Sequence, residues 1–144
     1  MRLKLQRLDP DLPLPGYATE GDAGIDLHAR DAVLLGPLGG RATVPTGIAV
    51  AIEAGHVGFV LPRSGLAAQH GITVLNAPGV VDSGYRGEVV VVLINHDPEH
   101  AYEVRRGDRI AQLVITTAIG VEVAEVEKLP ISRRGSAGLG ESGR

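Results

Sequence analysis

The stretch Val89-Val90-Val91-Val92-Leu93-Ile94 is an unbroken run of apolar, mostly β-branched residues in a chain of 144 residues. A strand with one solvated face alternates apolar and polar residues, whereas an unbroken run is typical of a strand covered on both faces. Sheet packing would cover one face of this strand. Since the simplest cover for the other face is a neighbouring subunit, the run predicts a β protein that forms an oligomer.

Shorter β patterns lie on both sides of this run, and Gly and Pro turn signals separate them. They are Arg2 to Leu8, Ala42 to Ile52, His56 to Leu61, Ile72 to Leu75, Glu88 to Asn95, Ala101 to Val104 and Arg109 to Ile115. No window has a convincing helical period, although Leu66 to His70 can form one short turn of helix. Many short strands separated by turns predict a sandwich, jelly roll or barrel.

Composition limits the function of the chain. The net charge is −3, from 14 Lys+Arg and 17 Asp+Glu, which argues against a nucleic-acid partner. The sequence has no cysteine, so disulfides and thiolate zinc sites are excluded. The amino terminus lacks the apolar core of a signal peptide, and the apolar run above is too short to span a bilayer. We therefore expect a cytoplasmic protein without a membrane partner.

One turn, Gly79 to Gly87, has an unusual density of functional side chains. An apolar strand end is followed by Asp82, Tyr85 and Arg86 within five residues. An ordinary reverse turn also favours Asp and Gly at these positions, so a structural role is the simpler interpretation of the segment alone. The alternative is a small-molecule pocket with Asp82 as a base.

Two further segments carry groups that suit oxyanions or buried polar contacts. Arg63, Ser64 and Gly65 follow a strand and offer guanidinium, hydroxyl and backbone donors, although Ser64 could equally cap a helix. Gln112 interrupts an apolar strand and needs a hydrogen-bond partner, which could be the core or a ligand.

Two segments are less specific. Asp26 lies between apolar neighbours after a turn, as many strand-edge aspartates do. His96 and His100 are four residues apart, but Pro98 between them predicts a turn, which makes a structural metal site improbable on spacing.

The last residues, 133–144, are rich in glycine and contain one large apolar side chain. Such a segment cannot bury enough surface to fold alone. It is either a disordered terminus or an arm that orders over a ligand, with Arg134 closing on phosphate. We expect a β domain over 1–132 and a flexible arm over 133–144.

Taken in order, five segments resemble the five motifs of the trimeric deoxyuridine triphosphate nucleotidohydrolases, the dUTPases. The match runs from about residue 18 to the carboxyl end. The segments are Ala23 to Leu27, Pro62 to Ala67, Asn76 to Gly87, Gly107 to Leu113 and Arg134 to Gly143.

This resemblance implies an all-β subunit with a distorted jelly-roll (β-clip) fold, assembled as a homotrimer with active sites between subunits. It implies Mg²⁺-dependent hydrolysis of dUTP to dUMP and pyrophosphate, which keeps uracil out of DNA and supplies dUMP for thymidylate synthesis. The implied partners are the nucleotide and further copies of the chain.

The resemblance also implies roles for individual residues. Asp82 matches the general base that activates water, and Tyr85 matches the ring that packs on deoxyribose and excludes a ribose 2′-hydroxyl. Asn76, the backbone of Val80 and Val81 and the paired strand near Val90 match the groups that bind uracil. Arg63, Ser64 and Gly65 of a neighbouring subunit, together with Gln112, match groups that contact the phosphates. Asp26 matches a carboxylate that holds Mg²⁺ through waters, and Arg134 matches an arginine that stabilises phosphate charge.

Two residues of the arm depart from the family pattern, because Leu139 stands where an aromatic ring usually stacks on uracil and Glu141 adds an acid. Two other functions compete. A dCTP deaminase of the same fold needs a glutamate ten positions beyond the turn aspartate, where this chain has Val92. A nucleotide-binding homologue without catalysis is the second alternative.

Overall fold

The computed structural model describes residues 1–138, and these residues form short antiparallel strands and one helix. The elements are β1 (Lys4–Arg7), β2 (Ile25–His28), β3 (Val33–Leu35), β4 (Arg41–Ala51), β5 (His56–Leu61), α1 (Ser64–His70), β6 (Ile72–Val74), β7 (Gly79–Val81), β8 (Glu88–Asn95), β9 (Tyr102–Val104) and β10 (Arg109–Thr117).

The strands are arranged in two four-stranded sheets and one two-stranded ribbon. The first sheet has the order β1-β4-β8-β6, the second has the order β2-β10-β5-β7, and β3 pairs with β9. All pairs are antiparallel, and most join strands distant in sequence. The all-β class predicted from the sequence is therefore confirmed.

Strand β8 is central to the first sheet and supplies one face to the core. Val89, Val91 and Leu93 are at most 1% exposed. On the opposite face, Val90 is 43% exposed, and Val92 is half-buried. Residues 1–138 therefore cover the second face only in part, as expected of a face that the sequence predicts to be covered by a neighbouring subunit.

Three short strands lie outside the predicted runs. Strands β2 and β3 are four and three residues long, and β7 has only Gly79, Val80 and Val81. The strand end predicted before Asp82 corresponds to β7, whereas β3 lies in no segment that the sequence singled out. Helix α1 is longer than expected, with seven residues, and ends at Gly71 in the left-handed conformation.

Strand β4 contains a bulge at Gly47, which has φ +70°, between the pairs that Pro45 and Ala49 make with β8. The bulge turns the strand so that Thr46 is buried, and its hydroxyl donates to the Val89 carbonyl at 2.5 Å. A Cβ at Gly47 would lie 2.9 Å from side-chain atoms of Asp9 and Leu12, so only glycine fits.

After β10 the chain has no further helix or strand up to residue 138. Its large apolar side chains in this region are exposed, namely Ile119, Val121, Val123, Val126, Leu129 and Ile131. Among residues 1–138, no helix has the length and apolar character needed to cross a bilayer.

Candidate active site

The turn predicted to carry chemistry connects two strands that lie in different sheets. Strand β7 pairs with β5, with Val80 opposite Phe59, whereas β8 pairs with β4 and β6. Between β7 and β8 lies a cavity of about 210 Å³, here called the β7–β8 cavity. Its lining consists of Val60, Asn76, Gly79, Val80, Val81, Asp82, Tyr85, Glu88, Val89, Val90 and Val92.

This geometry corrects one expectation. The resemblance implies a hairpin in which the strand of Val80 and Val81 pairs with the strand near Val90, but Val90 pairs instead with Pro45 of β4. Because β7 is the last strand of its sheet, one edge keeps its backbone N–H and C=O groups unpaired by any strand among residues 1–138. A free strand edge beside a cavity can hydrogen-bond a planar polar ligand.

The turn itself is fixed by its own hydrogen bonds. The N–H of Tyr85 donates to the Asp82 carbonyl at 3.0 Å, and the Arg86 guanidinium donates to the carbonyls of Ser83 and Tyr85 at 2.6 Å. The Asp82 side chain remains exposed at the rim of the cavity. An exposed carboxylate that accepts hydrogen bonds can take a proton from water.

A second cavity, of about 270 Å³, lies where β2, β10 and the start of α1 meet, and is called the arginine cavity here. Its lining consists of Ala18, Asp22, Ala23, Gly24, Asp26, Arg63, Ser64, Gly65, Arg109 and Gln112. It thus collects the polar residues of three of the segments that the sequence singles out.

Asp26 lies between two guanidinium groups in the arginine cavity. Its Oδ1 is 3.5 Å from Nε of Arg63, and its Oδ2 accepts from Nη1 of Arg109 at 3.1 Å. Arg63 also donates to the Arg109 carbonyl at 2.9 Å. The side chain of Asp26 is only 15% exposed, so these pairs are partly shielded from water. Arg109 is the member that sequence reasoning missed, although it belongs to the fourth motif.

The alternative role of Ser64 as a helix cap is wrong. Helix α1 begins at Ser64, its N-cap residue is Arg63 with extended backbone, and no side chain in the described part of the chain caps it. The hydroxyl of Ser64 and the backbone of Gly65 are exposed beside the arginine cavity. They can donate hydrogen bonds to an anion placed there.

Gln112 has a hydrogen-bond partner in the protein. Its Nε2 donates to the Pro62 carbonyl at 3.0 Å, and its side chain is half-buried at the cavity wall. One end of the amide is therefore structural, while the side chain still lines the arginine cavity. The interpretation as a hydrogen-bonded core residue is therefore supported, and the contact with a ligand stays a prediction.

Comparison with known proteins decides the family of this arrangement. The family model described as dUTPase matches residues 11–143. The chain belongs to the dUTPase family.

Relatives of this family are similar over nearly the whole chain. The deoxyuridine 5'-triphosphate nucleotidohydrolase of Thermobifida fusca is 55% identical over 99% of this chain and 79% of the relative. That of Corynebacterium glutamicum is 52% identical over 99% of this chain and 95% of the relative. The solved dUTPase of Staphylococcus bacteriophage 80alpha with dUpNHpp has 29% identity and a TM-score of 0.89, covering 99% of both chains. The predicted dUTPase-like fold is confirmed.

The residues matched to dUTPase motifs are divided between the two cavities of the chain. Asp82, Tyr85, Asn76 and the β7 backbone line the β7–β8 cavity, whereas Asp26, Arg63 and Gln112 line the arginine cavity. Arg134 lines neither; its guanidinium donates to the carbonyls of Ala137 and Gly138 at 3.1 and 3.3 Å. Leu139 and Glu141 lie outside the described residues.

Two histidines of this dUTPase-family chain, His28 and His100, have described surroundings. In the turn after β8, Nδ1 of His100 is 3.2 Å from Oδ1 of Asp97. No group of three or more His, Cys, Asp or Glu side chains suited to a metal occurs within residues 1–138. Burial lowers the pKa of His28, opposed by nearby Asp26 and assisted by Arg109 and Arg63. Its Nδ1 is buried and has no hydrogen-bond partner within the described residues 1–138, which also favours the neutral ring.

Proposed function

We propose that the chain hydrolyses dUTP to dUMP and pyrophosphate. The observation that carries this proposal is the β7–β8 cavity, where the Asp82 carboxylate and the Tyr85 ring lie beside the free edge of β7. A base, an aromatic wall and unpaired backbone groups are the parts needed to hold a nucleoside and activate water next to it.

Asp82 is proposed as the general base. Its carboxylate takes a proton from water while the water oxygen bonds to the α-phosphorus, and the bond from that phosphorus to the α,β-bridging oxygen breaks. The products are dUMP and pyrophosphate. The exposed position of Asp82 at the cavity rim supports this role, because a water molecule and a phosphate chain can both reach it.

The other residues that line the β7–β8 cavity are proposed to select the base and the sugar. The free edge of β7, with Asn76, would hydrogen-bond uracil, and the adjoining apolar wall from Val90 would leave no room for a thymine methyl. Tyr85 would pack on deoxyribose and exclude a 2′-hydroxyl. Its position in the same cavity as Asp82 supports the assignment.

The arginine cavity is proposed to receive the phosphates and Mg²⁺. Arg63, Ser64, Gly65 and Gln112 would contact phosphate oxygens, and Asp26 would hold the metal through waters. A site with so few carboxylates fits Mg²⁺, which keeps several waters and takes direct ligands from substrate phosphates. When bound, the ion would neutralise charge that develops on the phosphates.

A homotrimer would join the two kinds of cavity. Because the proposed base and the proposed phosphate ligands line different cavities of one chain, a complete site needs the β7–β8 cavity of one subunit to face the arginine cavity of another. The exposed apolar side chains after β10 and the half-exposed Val90 are further surface that a neighbouring copy would bury.

Mixing two inactive variants tests this arrangement. Asp82→Asn removes the base and Arg63→Ala removes a phosphate ligand, so each homotrimer should be inactive. Unfolding and refolding the two together should restore part of the activity, since some interfaces then pair an intact Asp82 with an intact Arg63. Sedimentation should give a trimer. A monomer, or a mixture without recovered activity, contradicts the shared site.

Residues 133–144 are proposed to act as an arm that closes on the bound nucleotide, with Arg134 placing charge near the phosphates and Leu139 covering uracil. The remainder, 1–132, is proposed as the folded β domain. The contacts of Arg134 in the described part of the arm are to its own backbone, which leaves it able to change partners. The cytoplasmic location predicted from the sequence stays a prediction.

Pyrophosphate release from dUTP, dTTP, dCTP and UTP, with and without Mg²⁺, tests the function. We expect release from dUTP with Mg²⁺ and little from the others. A folded protein that releases none overturns the enzymatic proposal and leaves a nucleotide-binding homologue. Formation of dUTP from dCTP would indicate the deaminase instead, but Val92, where that enzyme needs glutamate, is an apolar part of the cavity wall.

A further inference from the structure

Glu88 lines the β7–β8 cavity and has no role assigned above. Its Oε1 accepts a hydrogen bond of 2.7 Å from the N–H of Gly47, and its Oε2 lies 3.3 Å from Nη1 of Arg30. The side chain is 23% exposed, so both contacts are largely shielded from water. A carboxylate that accepts from a backbone N–H and faces a guanidinium is held more firmly than a neutral side chain.

Gly47, which donates its N–H to Glu88, is itself held by hydrogen bonds of the fold. Gly47 forms the bulge of β4, and its carbonyl accepts hydrogen bonds from the N–H groups of Leu8 and Asp9 at 2.8 and 3.1 Å. The neighbouring Thr46 hydroxyl donates to the Val89 carbonyl. The beginning of β8 is therefore tied to the bulge by a side chain from each strand.

The main chain at Glu88 supports Tyr85. The phenol of Tyr85 donates to the Glu88 carbonyl at 2.8 Å. A Cβ placed on Gly87 would lie 2.5 Å from the phenol oxygen, so the ring end rests directly on this backbone. Contacts that hold the backbone of residues 87 and 88 in place therefore also determine the position of the Tyr85 ring in the cavity.

We infer that Glu88 is a positioning residue that holds Tyr85 in place as the wall that distinguishes deoxyribose from ribose. The inference rests on the proposed function, in which Tyr85 packs on the sugar. The Tyr85 ring excludes a ribose 2′-hydroxyl only if the ring cannot move aside. A side chain is held in place in this way when its supporting hydrogen bonds are intact. The Glu88 carboxylate supplies that support through its contacts with the Gly47 N–H and the Arg30 guanidinium.

Steady-state kinetics with dUTP and UTP test the inference through the ratio of the two kcat/KM values. Glu88→Ala should lower this preference for dUTP at least about fivefold, since the ring can then retreat from a 2′-hydroxyl. Glu88→Gln, whose amide oxygen can still accept from the Gly47 N–H, should keep the preference within about twofold of the wild type.

Asp9→Ala is the matched control. It removes the pairs of Asp9 with Arg30 and Arg106 from the same network but leaves the contact between Glu88 and Gly47. We expect this variant to melt at a lower temperature and to keep the wild-type preference for dUTP. If the role of Glu88 were purely structural, Glu88→Ala and Asp9→Ala would both melt at a lower temperature and both keep the wild-type preference for dUTP.

An unchanged preference in Glu88→Ala, or an equal loss in Asp9→Ala, overturns the inference. If Glu88→Ala does not fold, Gly87→Ala replaces it, because the added Cβ displaces the phenol directly, and an unchanged preference in that variant is equally adverse. Failure of the proposed function would be seen separately, as a wild-type protein that does not hydrolyse dUTP at all.

Discussion

Gly24 in the turn before β2 lies against the side chain of Gln112 in β10: a Cβ on Gly24 would be 2.1 Å from Oε1 of Gln112. The two residues are packed so closely that the glutamine amide can hold its bond to the Pro62 carbonyl only if residue 24 is glycine.

Substituting Gly24 by alanine should therefore disturb the arginine cavity. Gln112 must rotate away, which breaks its hydrogen bond and costs about 1 kcal/mol of folding free energy. We expect KM for dUTP to rise about threefold to tenfold, measured by pyrophosphate release. Gly36→Ala is the control, since a Cβ there meets nothing within 4 Å; equal kinetics for both variants would contradict the prediction.

The base assignment predicts that Asp82→Asn binds nucleotide but loses turnover. The amide has nearly the same shape and cannot accept the proton, so kcat should fall about 100-fold to 10,000-fold. Calorimetry with a non-hydrolysed dUTP analogue should give an affinity near that of the wild type. Asp31→Asn, an exposed acid outside both cavities, should retain full activity. Substantial turnover by Asp82→Asn would mean that another group is the base.

The contacts of Asp26 predict a metal-dependent defect. Asp26→Asn weakens the pairs with Arg63 and Arg109 and removes the charge proposed to hold hydrated Mg²⁺. We expect the Mg²⁺ concentration for half-maximal activity to rise about tenfold, while the small activity in EDTA stays unchanged. Asp22→Asn, in the same cavity but bonded to the Thr19 N–H, should shift the Mg²⁺ requirement less. Equal shifts in both variants would argue against a specific role of Asp26.

The lowered pKa of His28 predicts that acid destabilises the protein in a defined range. Below the ordinary value of 6.5 the unfolded chain protonates His28 while the folded chain keeps it neutral, so the unfolded state binds more protons and stability falls as pH falls. Above pH 6.5 the ring is neutral in both the folded and the unfolded state, so His28 no longer lowers the stability. His28→Gln should have a flatter dependence of urea unfolding on pH between about 5 and 6.5, whereas His96→Gln, at an exposed turn, should match the wild type.

Because Leu139 stands where the family has an aromatic ring, we expect the arm to cover the base incompletely. If a stacked ring is worth about 1–3 kcal/mol, as for aromatic side chains on single bases, Leu139→Phe should lower KM for dUTP roughly fivefold or more. Leu129→Phe adds a ring at an exposed position outside 133–144 and should leave KM unchanged. An unchanged KM in Leu139→Phe would count against stacking by the arm.

Several features followed from residue patterns alone. The runs Glu88 to Asn95 and His56 to Leu61 were predicted with the bounds that the strands have, because apolar, β-branched runs and the turn residues beside them are local signals. The turn at Asp82 and the short helix after Arg63 were predictable for the same reason. The pairing of β7 could not be predicted, since pairing partners depend on how distant parts of the chain come together, and β3 lies in no predicted run.

The sequence by itself determined the all-β class and the order of the motifs, because these depend on local pattern. The resemblance of those motifs to the dUTPase motifs named about half of the residues that line the two cavities. Only the tertiary structure decided that β7 and β8 separate into different sheets around a cavity. It also brought Arg109 to Asp26 across 83 positions of sequence and Glu88 to the bulge at Gly47. Such contacts arise from long-range strand pairing, which fixes register and distance only when the whole domain is assembled.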